Sequence, residues 1–391
     1  MGVHVLSTRG RFPTGEVNVS SALGKDSLSD TDYSFMQSIN APKPRACTFG
    51  VKPQTLVLMA DLTWRPACRL RPGNRVLGFD EKPGPSRYRG YRVATVVALT
   101  IRRARTLTLG TEFGEVTCTT DHRWLERNRF RSTATIRELR LATIPVLPPA
   151  FGAGYKMGYL HGALAGDGNF SHGPAQTRAT LRVCDEEFAA RFAQYGQDLG
   201  FEGFRTFAYI AGYTKRPLYG VRTSRIREAS SLSPYSEPSP TAEYMRGWLA
   251  GAFDAEGSSS GGQMLRIHQR ISNRPFWKTA QHFLETLDVP YAVETQRPCP
   301  NHRKERMGSL RIKRVANQLK FVALTQPILE RKWAHLRQGR LKSAAIAAPV
   351  LSRRDAGVQT VVGVHTSNGT VVEGGFLSRN RQLVRWRVGS E

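Results

Sequence analysis

The sequence predicts an α+β protein in which two αββαββα repeats stand inside an interrupted all-β module. Three observations predict it. One short pattern occurs twice, as Gly158-Tyr159-Leu160-His161-Gly162-Ala163-Leu164-Ala165-Gly166-Asp167-Gly168 and Gly247-Trp248-Leu249-Ala250-Gly251-Ala252-Phe253-Asp254-Ala255-Glu256-Gly257, about 90 residues apart. After each copy the hydrophobic period passes through the same order of strands and amphipathic helix. Short β-rich runs lie on both sides of the pair.

Residues 1–49 are rich in Ser, Thr, Gly and Asp with little periodicity, and read as a loosely ordered leader. From 50 to 149 come the runs Thr55–Leu58, Arg75–Phe79, Ala94–Leu99 and Leu107–Leu109, separated by turn signals such as Arg71-Pro72-Gly73-Asn74 and Lys82-Pro83-Gly84-Pro85. The first repeat and its linker span 150–240. The motif helix is followed by a strand at Ala179–Cys184 and an amphipathic helix from Glu186 to Leu199. The linker is the Ser/Pro-rich stretch Ser230–Pro240. The second repeat, 241–344, repeats the plan with a strand at Met264–Gln269 and a helix from Pro275 to Leu287. From 345 to 391 the β texture returns, at Val358–Val364 and Gly369–Val372.

The chemistry is concentrated in the repeated pattern. Gly162, Gly166, Gly251 and Ala255 stand four apart on their helices, so each helix has a face almost without side chains, against which another backbone can approach. A helix pair about a pseudo-two-fold axis follows. Asp167 and Glu256 then lie at matching C-terminal ends, where the helix dipoles add to their charge and a divalent cation is attracted. Gly168 and Gly257 are expected to leave the helices in the left-handed conformation.

Composition identifies the partner class. The chain has 57 Lys plus Arg against 31 Asp plus Glu, a formal net charge of +26 over 391 residues. That excess exceeds what solubility requires and favours a polyanion, most simply nucleic acid. About a dozen basic residues between Asn301 and Ser343 face only Glu305 and Glu330. The five cysteines, Cys47, Cys68, Cys118, Cys184 and Cys299, contain no C-x-x-C pair and support neither a disulfide framework nor a zinc site. No apolar run approaches the ~18 residues of a bilayer span. No membrane partner is expected, and a soluble, intracellular protein is.

Both glycine-rich segments resemble the motif of the LAGLIDADG homing endonucleases, whose penultimate acidic residue holds the catalytic metal. The resemblance maps that role onto Asp167 and Glu256, and departs from the pattern at Ala165, where the family often has Asp. It implies Mg²⁺, double-stranded DNA, a monomer whose internal pseudo-symmetry replaces a dimer, and one strand cut by each half. Lys332, at the end of Phe321–Lys332, resembles the family's active-site lysine, and Gln269 falls near its water-positioning glutamine. No matching lysine stands in the first half, so unequal cutting of the two strands is expected. Alternating side chains on the strands make Arg182, Arg266, His268, Arg270, Arg311 and Lys313 candidate DNA contacts.

The flanking β texture resembles the Hint domain of inteins, a flattened horseshoe built from both sides of an inserted endonuclease. Thr119-Thr120-Asp121-His122 occupies the T-x-x-H position, and Gly375–Asn380 the C-terminal end. The splicing chemistry is degenerate. Counting back from Thr55 places the first residue at Gly50, which has no nucleophile; an alternative start is Cys47. The penultimate residue is Arg379 and the residue after Asn380 is Arg381. Gly50, Thr119, His122, Arg379 and Asn380 therefore read as relics. The leading function is a site-specific endonuclease on a splicing-defective scaffold, acting in the cytoplasm of a bacterial or phage-infected cell. The alternatives are a self-splicing or self-cleaving intein and a non-cutting nucleic-acid-binding protein of the same fold.

Overall fold

The computed structural model describes residues 49–85, 89–142, 151–173, 176–210, 216–260, 264–295, 306–338, 340–341 and 347–380. The leader apart from Phe49, Cys47, Cys299, the 301–305 and 342–343 parts of the basic stretch, and Arg381 lie outside the described residues.

The flanking strands are β1 (Leu56–Leu58), β2 (Trp64–Pro66), β3 (Arg75–Phe79), β4 (Arg89–Thr111), β5 (Gly114–Thr119), β6 (Arg123–Glu126), β7 (Arg129–Ser132) and β8 (Glu138–Arg140). The first repeat runs α1 (Ala153–Asp167), β9 (Gly168–Gly173), β10 (Gln176–Val183), α2 (Glu186–Asp198), β11 (Arg205–Ile210), β12 (Pro217–Thr223) and α3 (Ile226–Ser231). The second runs α4 (Ala242–Glu256), β13 (Gly257–Ser260), β14 (Met264–Arg270), α5 (Arg274–Thr286), β15 (Ala292–Thr295), β16 (Met307–Lys313) and α6 (Val315–Thr325). Then follow β17 (Arg340–Leu341), β18 (Ala347–Pro349), β19 (Ser352–Thr366), β20 (Thr370–Glu373) and β21 (Phe376–Arg379).

The strands on either side of the repeats interleave. One sheet has the order β2-β1-β20-β21-β6-β7, and β4 pairs with β19 over its outer half. The runs Ala94–Leu99 and Leu107–Leu109, separate in the sequence, belong to the single strand β4. Ile101 to Arg105 continue the ladder against Val362 to Val358, because backbone pairing needs no apolar side chain on the exposed face.

Each repeat forms its own four-stranded sheet, β11-β12-β10-β9 and β13-β14-β16-β15, so the two share one topology. Alternation sets their faces. In β14, Leu265, Ile267 and Gln269 are buried and Arg266, His268 and Arg270 point away. The helices α2 and α5 cover the inner faces with Phe188 and Phe192, and with Phe276, Phe283 and Leu284. Asn273 caps α5 by accepting from the Phe276 amide, with Pro275 in the first turn.

The helix pair α1 and α4 joins the repeats. A Cβ on Gly158 or Gly162 would overlap the Tyr244 or Trp248 carbonyl oxygen, and on Gly247 or Gly251 that of Tyr155 or Tyr159. The backbones touch along both helices. The expected left-handed exit is corrected: Gly168 and Gly257 are extended, at φ −78° and −80°. Glycine is required there because a Cβ would overlap the Leu164 or Phe253 carbonyl oxygen.

The Ser/Pro stretch is docked. Ser231 O lies 2.7 Å from His161 Nε2, Pro234 O accepts from Trp248 Nε1 at 3.2 Å, and Leu232 is buried. One apolar core runs from Leu58, Leu77, Phe79 and Leu377 of the flanking sheets into Trp248, Phe283, Leu319 and Trp333 of the second repeat. A second fills the β module, and a third the first repeat.

Candidate active site

Close approach of α1 and α4 carries their last residues together. A Cβ on Gly166 would stand 2.9 Å from Glu256 Cγ, so the helix ends bearing Asp167 and Glu256 are in contact. A like charge beside a carboxylate raises its proton affinity. Burial pushes the Glu256 carboxyl up to about 7, with the Asp167 charge adding to it and Gln269 and Lys332 opposing. Asp167 reaches solvent, yet the protein around it raises its carboxyl too, while Lys332 pulls it down.

Gln269 and Lys332 both converge on this end of α4. Gln269 Nε2 donates to Glu256 Oε1 at 3.1 Å, and its own Oε1 accepts from the Arg270 amide at 2.8 Å. The buried Lys332 donates from Nζ to the carbonyls of Phe253, Asp254 and Ala255 at 3.2, 2.6 and 3.3 Å. It therefore caps the C-terminus of α4 and places its charge behind the carboxylates, the favourable end of the dipole for a cation. Burial lowers the Lys332 pKa, and nearby Asp254 and Asp167 raise it.

The candidate DNA contacts share the outer faces of the two sheets. In the second sheet Arg266 lies opposite Arg311, and Met264 opposite Lys313, with His268 and Arg270 further along the same face. Arg311 pairs with Glu294 at 2.6 Å and Arg266 with the same carboxylate at 3.6 Å. His268 Nε2 lies 2.9 Å from Ser258 Oγ. In the first sheet Arg182 is exposed opposite Gly220, beside Arg178 and Arg222, and Arg222 lies over the Phe207 ring at 5.6 Å.

Four of the five residues read as relics meet in the β module. The Thr119 amide donates to Gly50 O at 2.9 Å, and His122 Nε2 is 3.2 Å from Glu373 Oε2. Asn380 Nδ2 donates to the other oxygen of Glu373 at 2.9 Å, and Ser378 Oγ to its Oε2 at 2.6 Å. His122, Glu373 and Asn380 are buried. Arg379 points elsewhere, to Glu81 at 2.5 Å and over the Phe130 ring. A Cβ on Gly50 would stand 3.0 Å from Val361 Cβ and Cγ2.

Sequence reasoning missed two buried acids. Asp254 accepts from Tyr159 at 2.7 Å and from the amides of Ile328 and Leu329 at 2.9 and 3.0 Å. Its signal was an acid inside an apolar run two residues before Glu256. Glu373 was signalled by its place after Val371 and Val372 in a buried strand.

No family model matches the sequence, and no curated protein matches it. Among solved structures the chain is similar to homing endonuclease I-DmoI in mesophilic variants, at 16% identity and a TM-score of 0.35 over 44% of this chain and 97% of that one. It is similar to full-length DUF199/WhiA from Thermatoga maritima, at 12% identity and 0.35 over 46% of this chain and 58% of that one. For the N-terminal LAGLIDADG domain of DUF199/WhiA the values are 12% and 0.35, over 48% and 89%. No helix among the described residues is long and apolar enough to cross a membrane.

Proposed function

We propose that the protein is a site-specific DNA endonuclease of the LAGLIDADG type, acting as a monomer on double-stranded DNA and carried on a splicing-defective, Hint-like β module. The observation that carries the reading is the contact of two helix ends bearing Asp167 and Glu256, each feeding directly into a sheet with arginines on its outer face. An all-oxygen, carboxylate pair with raised proton affinity fits a hard divalent cation such as Mg²⁺, whose remaining ligands are phosphate and water. When bound, that cation supplies charge stabilisation at the scissile phosphate and an activated water.

The chain's own residues divide the remaining work. Asp167 and Glu256 hold the cation, Gln269 fixes the orientation of the Glu256 carboxylate, and Lys332 contributes positive potential from behind it. Arg182, Arg270 and Lys313 present charge to the phosphates and base edges, and Arg266 and Arg311 are released to DNA only by giving up Glu294. The β module supports the scaffold reading by its interleaved strands. Glycine at residue 50 carries no nucleophile, and a side chain there would press on Val361, which supports loss of splicing.

The test is incubation of the protein with a randomised duplex library and Mg²⁺. Discrete double-strand breaks that stop on chelation are expected. Salt-sensitive binding without breaks would instead establish the non-cutting reading.

A further inference from the structure

The outer face of the second sheet holds one acid among its cations. Pleating puts Arg266, His268 and Arg270 of β14 on that face together with Ser309, Arg311 and Lys313 of β16, and Glu294 of β15, opposite Ser309, joins them. Glu294 is the only acid in β13 to β16, and β9 to β12 of the first sheet contain none. On a face that neutralises phosphate, an acid opposes binding to every sequence alike. The two oxygens of Glu294 are unequally engaged. Oε1 accepts from Arg311 Nη1 at 2.6 Å, a full charge-assisted hydrogen bond. Oε2 has only long contacts, with Arg266 Nη2 at 3.6 Å and with Ser309 Oγ at 3.3 Å. Glu294 is partly exposed, and Oε2 retains capacity to accept.

Resting on the DNA-binding part of the endonuclease reading, we infer that Glu294 is a specificity-determining residue that selects one C·G pair in the half-site held by the second repeat. In the major groove cytosine presents its N4 amino group as a donor, and the paired guanine presents O6 and N7 as acceptors. The N4–H group donates to Oε2 and takes the place of Arg266, which turns to guanine O6 and N7 while Arg311 stays on Oε1. A phosphate cannot make this exchange. It offers only acceptors, so an arginine drawn to it leaves the carboxylate less compensated beside a polyanion. Thymine or guanine in the cytosine position likewise meets Oε2 with an acceptor. Adenine supplies an amino donor, but its thymine partner gives Arg266 one acceptor where guanine gives two.

The experiment selects duplexes by binding from a randomised library, with chelator present so that none is cut, for the natural protein, Glu294→Ala, and the isosteric Glu294→Gln in case the alanine variant fails to fold. Each pair of the recovered site is then replaced in turn and the affinities are measured at one salt concentration. The natural protein should recover sites with a C·G pair whose replacement by any other pair weakens binding by about 10-fold or more. In the variants the discrimination at that pair should fall by about 10-fold while the preferences at other positions are kept. Variants that gain affinity equally for all sequences, with every base preference intact, would make Glu294 a charge balance and overturn the inference. Variants indistinguishable from the natural protein would overturn it too, and both results leave the endonuclease reading standing. A natural protein that binds no duplex would remove both.

Discussion

Glu256 is the side chain whose environment has the clearest measurable consequence. Its carboxyl, raised to about 7 by burial and by Asp167, holds a proton in the folded chain across a pH range where the unfolded chain has lost it. For an acid raised in this way, folded stability is unaffected below the ordinary carboxyl value of ~4.3 and falls as pH rises from there to about 7. In the metal-free protein Glu256→Gln should therefore be stabilising by roughly 1–3 kcal/mol at pH 8 and nearly neutral at pH 4, measured by urea unfolding. A substitution that destabilises at pH 8 would contradict the burial described. The same proton competes with metal, so Mn²⁺ affinity measured by paramagnetic resonance should weaken steeply as pH falls through 7. At this scale the paired acids were legible from the repeat alone. The capping role of Lys332 was not, because it depends on a segment folded back from 76 residues beyond Glu256 (332 − 256).

Among the elements, the helix pair makes a distinctive demand. Gly→Ala inside a helix ordinarily stabilises by up to about 1 kcal/mol through propensity. Gly162→Ala should do the opposite here, since its methyl overlaps the Trp248 carbonyl, and a loss of about 2 kcal/mol or more is expected in thermal or chemical unfolding. Stabilisation by that substitution would show that the helices do not pack through their glycines. The order of elements in both repeats was readable because the hydrophobic period changes between helix and strand. The length of β4 was not, because Arg102, Arg103 and Arg105 interrupt the apolar signal without interrupting the ladder. The exits at Gly168 and Gly257 were misread for a related reason. Sequence shows that a side chain is excluded but not whether backbone twist or a neighbouring carbonyl excludes it.

The whole molecule couples a strongly basic surface to a core shared between the second repeat and the β module. With a formal charge of +26, binding to duplex DNA should follow a straight log–log salt dependence, falling by about 10³-fold or more between 50 and 200 mM salt if six or more phosphates are engaged. A flat response in a filter-binding series would remove nucleic acid as the partner. The shared core was invisible in the sequence, since nothing in the spacing of Leu77 and Trp248 says that they belong to one cluster. Composition points to a polyanionic partner without any fold, because net charge is a sum over residues.

The central claim is that Asp167 and Glu256 together perform metal-dependent DNA cleavage. Its most direct test is a cleavage time course on plasmid carrying a library-recovered site, with Mg²⁺, for the natural protein and the Asp167→Asn, Glu256→Gln double variant. The natural protein should linearise the plasmid, and the variant should bind it with undiminished affinity and leave it supercoiled. Linear product from the double variant at the natural rate would show that the chemistry lies elsewhere in the chain.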